Sequence, residues 1–218
     1  MTQSIHELMN KIITLKKNSD YRIGDVILHR GLRWKKTIND VLSKSIYEGT
    51  ILREYLEKVG TNAPDLDLLF TICEQHKTKY IVPDETTLVI HIRAGDVCVH
   101  EWFFKKDYVT IIDRQISKSL NEIQKITFVI CFSYCEYTEK GWWVYTENKQ
   151  QLNIQKLTII LQKCIDAFPN ISFDVYSNHN TDKDLIFCVF AKRFVCDEGG
   201  FSQIMNMLRE KKRNGIHH

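Results

Sequence analysis

From residue 86 onward, short apolar runs alternate with amphipathic stretches, and the alternation predicts the architecture. The runs TTLVIHI (86–92), ITFVICF (126–132), ISFDVYS (171–177) and RFVC (193–196) are rich in β-branched and aromatic residues and read as strands. Between them, Val109, Ile112, Ile116, Leu120 and Ile123 share one face of a helix expected near 107–124. Ile154, Leu157, Leu161, Cys164 and Phe168 do the same for a helix near 151–168, and further helices are expected near 182–190 and from about residue 200. Strands apolar on both faces, each followed by a helix, call for a parallel sheet covered on both sides. The predicted class is α/β with a Rossmann-like parallel sheet.

The first 83 residues follow a different pattern. Ser4 and Glu7 form a capping box ahead of Ile5, Leu8, Ile12 and Leu15, which recur at helical spacing. Residues 26–28, edged by Gly24 and Gly31, make a short strand candidate. Ile38, Val41, Leu42, Ile46, Leu52, Leu56 and Val59 mark a long helix that Gly60 stops, and residues 65–76 predict another. The segment KTKYIVPDE, with Pro83, predicts a boundary. Residues 1–83 are expected to form a mainly helical N-terminal part, and 84–218 a Rossmann-like domain.

Composition narrows the classes. The 218 residues, 44% apolar, suffice for one sizeable core with an appended smaller part. Thirty basic against 27 acidic side chains, spread along the chain, lack the concentrated excess of a nucleic-acid binder. No apolar run approaches the ~20 residues of a membrane span, and the amino terminus reads as an amphipathic helix, so a cytoplasmic protein is expected. Seven cysteines, most inside apolar runs, read as reduced core residues. Cys131 and Cys135 lack a second pair at zinc-finger spacing.

The candidate chemistry lies at the end of the first strand, TTLVIHIRAGDVCVHE (86–101). An arginine is almost never buried without a partner, so Arg93 at a strand's carboxyl end predicts an incoming anion. In a parallel α/β sheet that edge is the ligand edge, where His91, Gly95 and Asp96 also emerge. Ser177 and Asn178, closing ISFDVYS, are expected near it. So is CDEGGFSQIMNML, in which Gly199 and Gly200 directly precede an apolar helical stretch. Backbone N–H groups at that helix start, with the Ser202 hydroxyl, suit a phosphate. Pairing of Arg93 with Asp96 or another carboxylate is the competing structural explanation. Asp65-Leu66-Asp67 and Asp182-Lys183-Asp184 resemble metal-binding DxD pairs, but both fall at predicted helix starts, where capping is expected. No metal or cofactor is therefore expected.

His91-Ile92-Arg93-Ala94-Gly95-Asp96 resembles the H-x-R-x-G-D signature of the fucosyltransferase superfamily, which includes the α1,2-, α1,6- and protein O-fucosyltransferases. The stretch VYSNHNTDKDLIFCVFAKRFVCDEGGFSQIM is similar to that family's closing block, and the likeness spans about residues 86–210. The resemblance implies a metal-independent, inverting glycosyltransferase of GT-B type. Arg93 and Asp96 then belong to the catalytic edge, with Arg93 on the donor's β-phosphate. His91, Gly95, Ser177, Asn178, Gly200, Phe201 and Ser202 line the donor.

An inverting transfer needs a base for the acceptor hydroxyl. By the resemblance, Glu101 stands where the α1,6-fucosyltransferases carry that base, with Asp25 and Asp96 as alternatives. Ser177 and Asn178 replace a carboxylate that reads guanine in several members, so a GDP-, UDP- or dTDP-linked 6-deoxy sugar such as L-fucose or L-rhamnose is the expected donor. Ala94 replaces a second arginine of many members. The loop SYCEYTEKGWWVYTENK concentrates aromatics, and Trp142, Trp143 and Asp25 are the candidate contacts to a glycan acceptor, with packing over the sheet edge as the alternative for the rings. Trp102-Phe103-Phe104 reads as core packing. A two-domain enzyme of this type needs roughly 300 residues. A piece of a longer polypeptide, or a non-catalytic nucleotide- or phosphate-binding module, therefore stays open beside the enzyme.

Overall fold

The computed structural model describes residues 4–12, 16–17, 49–59, 65–95, 106–119, 122–134, 147–177, 181–197 and 200–215. They form α1 (Ile5–Ile12), β1 (Lys16–Lys17), α2 (Ile51–Val59), α3 (Leu66–His76) with a 3-10 turn over Lys77–Lys79, β2 (Thr87–Gly95), α4 (Tyr108–Lys118), β3 (Lys125–Tyr134), α5 (Glu147–Ala167), β4 (Ser172–Ser177), α6 (Thr181–Val189), β5 (Arg193–Val195) and α7 (Gly200–Gly215). Every strand pairing is parallel. The fold is α/β and compatible with a Rossmann-like sheet.

The strand order explains how the helices are shared between the faces. β2 lies between β3 and β5, and β3 carries β4 and, at Ser133 and Tyr134, the two-residue β1 on its far edge. The chain thus steps from β2 to β3 to β4 and then returns to the other edge of β2. Crossovers between parallel strands are right-handed, so reversing direction sends the connecting helix to the opposite face. Tyr108 and Ile112 of α4 and Leu157, Leu161 and Cys164 of α5 pack with Leu88, Ile90, Ile92, Phe128 and Ile130 on one face. On the other, Leu185, Ile186 and Val189 of α6 and Ile204, Met205 and Leu208 of α7 pack with Val89, Val129 and Phe194. Alternation along β2 therefore sends even-numbered side chains to the α4/α5 face and odd-numbered ones to the α6/α7 face.

The N-terminal helices belong to these same two layers. The capping box of α1 forms as expected, with the Ser4 N–H donating to Glu7 at 2.9 Å and the Glu7 N–H to Ser4 Oγ at 3.3 Å. Leu8, Met9 and Ile12 of α1 enter the α4/α5 core, whereas Ile51, Leu52, Tyr55 and Leu56 of α2 and Leu69 and Ile72 of α3 enter the α6/α7 core. The boundary expected at residue 83 thus separates elements that share both cores. Of the long helix expected over 38–59, residues 51–59 appear as α2; its first half and the strand expected at 26–28 lie outside the described residues. β1 carried no apolar pattern and was unreadable from the sequence.

Asp182 lies in the first turn of α6, at a helix start as expected. Its carboxylate also accepts the N–H groups of Thr50, of Ile51 at 2.9 Å and of Leu52 at 3.4 Å, at the start of α2, a tie the sequence did not predict. The Tyr80 hydroxyl donates to it at 3.3 Å. The first turn of α6 is buried against α2, so the nearest unpaired helix donors come from 130 or more residues away. Asp65, by contrast, caps α3 as expected, accepting from Asp67 N at 2.9 Å and Leu68 N at 3.0 Å. Replacing Asp182 by Ala leaves several helix donors without their acceptor, and should cost about 1–3 kcal/mol of stability. Asp182→Asn should cost less. Urea unfolding reads both, and an unchanged midpoint for Asp182→Ala would refute the cap.

Candidate functional site

The chain reverses direction between β2 and β5. From the end of β2 it leaves for α4 on one face, and from the end of β5 for α7 on the other, so the carboxyl edge between them is a switch point, the place where parallel α/β sheets bind ligands. Its geometry follows from unequal strand lengths. β5 pairs with β2 at Leu88, Val89 and Ile90, while β2 runs on to Gly95. Beyond Ile90 the β5-facing backbone of β2 needs acceptors from elsewhere.

Asp197, two residues past β5, supplies one. Its Oδ2 accepts the Arg93 N–H at 2.8 Å and the hydroxyl of Tyr108, the first residue of α4, at 3.4 Å. Its Oδ1 pairs with the Lys106 ammonium. The Asp197 side chain is 2% exposed, a burial that the ion pair and hydrogen bonds make tolerable. The Asp197 N–H in turn donates to Ser202 Oγ at 2.7 Å, in the first turn of α7. Asp197 thus ties together the ends of β2 and β5 and the starts of α4 and α7, through its carboxylate to the end of β2 and the start of α4 and through its N–H to α7.

Ser202 Oγ also lies 3.2 Å from His91 Nδ1, and the edge of the Phe201 ring meets the imidazole with centroids 6.1 Å apart. Burial pushes the His91 pKa down to about 4; Asp197 opposes this, and the positive charges of Arg93 and Lys106 reinforce it. His91 is therefore neutral at pH 7 and exchanges a hydrogen bond with a serine. The Lys106 ammonium and the Arg93 backbone N–H meet one buried carboxylate next to a helix amino terminus, and the charges of both basic side chains reach His91. An anion suits that environment.

The expected site residues divide into three groups. His91, Arg93, Gly200, Phe201 and Ser202 are brought together here, and Gly95 closes β2 opposite Ser133. Ser202 differs from a solvent-facing phosphate ligand, because its hydroxyl is buried and engaged by Asp197 and His91. Ser177 stands apart: it is level with Ile92 through Ile130, two strands from β2, and alternation puts it on the face of Phe173 and Val175, opposite His91. Its buried hydroxyl has no hydrogen-bond partner among the described residues. Asp25, Asp96, Glu101, Trp142, Trp143 and Asn178 lie outside the described residues.

Lys106, Tyr108 and Asp197 were missed by the sequence reading. The one available signal was an aspartate directly after a strand and before Gly199-Gly200, a place where a parallel sheet puts its ligand edge. Among the described residues no group of three or more His, Cys, Asp or Glu could hold a metal ion, and no helix is long and apolar enough to cross a membrane. Cys73, Cys164 and Cys188 are buried thiols whose pKa burial raises, which suits core packing. No protein-family model, curated protein or solved structure matches the chain.

The depressed His91 pKa has a stability consequence. The folded value, about 4, lies below the ordinary histidine value of 6.5, so between them the unfolded chain binds more protons. His91 therefore contributes stability that is fully present above pH 6.5 and is lost as pH falls toward 4, by at most about 1.4 kcal/mol per pH unit. Urea unfolding at pH 7 and pH 5 should show a steeper loss for the wild type than for His91→Asn. Equal losses would place the imidazole in water.

Proposed function

We propose that the crevice between β2 and β5 binds the diphosphate of a nucleoside-diphosphate sugar, and that the protein is a metal-independent, inverting glycosyltransferase acting on a glycan acceptor. The observation that carries this reading is that the end of β2 at Arg93, the Lys106 ammonium and the start of α7 all meet Asp197 at the point where the sheet reverses direction. Departure of a nucleoside diphosphate builds negative charge on the phosphate oxygens, and preorganised cations with a helix start stabilise it. Arg93 meets the β-phosphate, while neutral His91 and the engaged Ser202 hold the α7 start in place. Glu101 is the candidate base, and a 6-deoxyhexose such as L-fucose or L-rhamnose the candidate sugar.

The fate of the other carboxylates supports the metal-free part. Asp182 is committed to the start of α2, Asp65 caps α3, and Asp67 pairs with Lys211 at 2.5 Å, so each DxD-like pair has at least one carboxylate with a structural task. Transfer should survive EDTA, and activity that vanished with EDTA and returned with Mn²⁺ would overturn that part. A second reading, a nucleotide-binding module without turnover, has one observation in its favour. The buried carboxylate at the crevice, Asp197, is committed to Arg93, Lys106 and Tyr108 and is not placed as a base.

Titration of GDP, UDP and dTDP, with their nucleosides, tests the binding claim. Arg93→Ala should weaken the diphosphate by about 1.5–3 kcal/mol and leave the nucleoside nearly unchanged, because a charge-assisted contact to phosphate is lost. Equal losses for both would remove the phosphate assignment. Glu101→Gln should abolish transfer and keep nucleotide binding; binding with no turnover by the wild type against a broad acceptor panel would instead favour the module.

A further inference from the structure

We infer that Lys106 is the second phosphate cation of this site, parked on Asp197 when the crevice is empty and transferred to the diphosphate when it is filled. The inference rests on the crevice being a diphosphate site, and goes beyond it in naming a residue that supplies charge on demand. Three observations carry it. The two ends of the ion pair differ in exposure: the Lys106 side chain is 22% exposed, whereas that of Asp197 is 2% exposed. The lysine side chain thus meets solvent where the carboxylate does not. The carboxylate also keeps partners when the lysine leaves, since its Oδ2 accepts the Arg93 N–H at 2.8 Å and the Tyr108 hydroxyl at 3.4 Å. Removing Lys106 therefore does not leave Asp197 without hydrogen bonds.

The third observation concerns place. Lys106 directly precedes Asp107, whose side chain caps α4 by accepting the Thr110 N–H at 3.1 Å, so its backbone is anchored at the start of α4 while its long stem reaches Asp197 beyond β5. Its charge already lowers the His91 pKa together with that of Arg93, so both cations are close enough to act on one imidazole. A lysine suits this task because its ammonium is a compact charge on four flexible carbons, able to exchange one oxyanion for another. With both cations on the ligand, the crevice matches a diphosphate better than a single phosphate ester.

Calorimetric titration with inorganic pyrophosphate, and with whichever of GDP, UDP and dTDP binds wild type most tightly, tests the inference on the full chain. Lys106→Gln should weaken pyrophosphate and nucleoside diphosphate by about tenfold or more and leave the matching nucleoside within about twofold, while the urea midpoint falls because the buried Asp197 loses its counter-charge. Lys106→Arg, which keeps the charge, should recover most of the affinity. Diphosphate affinity unchanged in Lys106→Gln, with Arg93→Ala still weakened, would overturn this inference alone. Equal weakening of nucleoside and diphosphate, or no recovery in Lys106→Arg, would make Lys106 a structural residue and overturn it too. If wild type bound neither pyrophosphate nor any of the nucleotides, the diphosphate site itself would fall, and the role of Lys106 with it.

Discussion

The site depends on one mismatch: β2 is nine residues long and β5 is three. A parallel ladder satisfies backbone donors only while both strands last, and the β2–β5 pairing stops at Ile90. Past that point the Arg93 N–H would be orphaned in a part-buried edge. The Asp197 carboxylate continues the ladder in place of a backbone carbonyl, and being charged it needs more than one N–H. Lys106, Tyr108 and the turn into α7 gather around it for that reason. The edge between β2 and β5 is polar because the shorter strand ends early and a carboxylate fills the gap.

Direction in the sheet then decides what surrounds that carboxylate. The reversal at β2 sends α4 to one face and α7 to the other, so Tyr108 and Ser202 approach Asp197 from opposite sides. His91, an odd-numbered residue of β2, shares the α7 face and falls under Phe201 and Ser202. A buried imidazole without that serine would be a costly polar group; with it, the neutral ring fits into the core.

The two cores draw on the first third of the chain as much as on the strands. α1 closes the α4/α5 face, and α2 and α3 close the α6/α7 face, where Asp182 fastens the start of α2. Tyr55 adds a tie between α2 and α3, its hydroxyl accepting the Asp65 N–H at 3.0 Å. α6, which follows the carboxyl end of β4, is thus held against a segment distant in sequence, and the ligand edge is framed by parts of the chain that no local pattern connects.

What the sequence alone determined is local in origin. Periodicity located β2 to β5 and the helices between them, because side-chain alternation and the 3.6-residue repeat are properties of a segment by itself. The helix expected near 107–124, however, ends at Lys118, and Ile123 packs from the segment before β3 instead. The Ser4–Glu7 box and the Asp65 cap were legible for the same reason, each spanning three residues. Arg93 at a strand end and glycines before a helix were enough to point to the carboxyl edge. The tertiary structure decided the strand order, the face on which each side chain lies, and the partners of the buried charges. Asp182 met the start of α2 and Asp197 met Lys106 across 91 positions, because a buried carboxylate takes whichever donors the folded layers leave unpaired, and those depend on how the chain crosses the sheet.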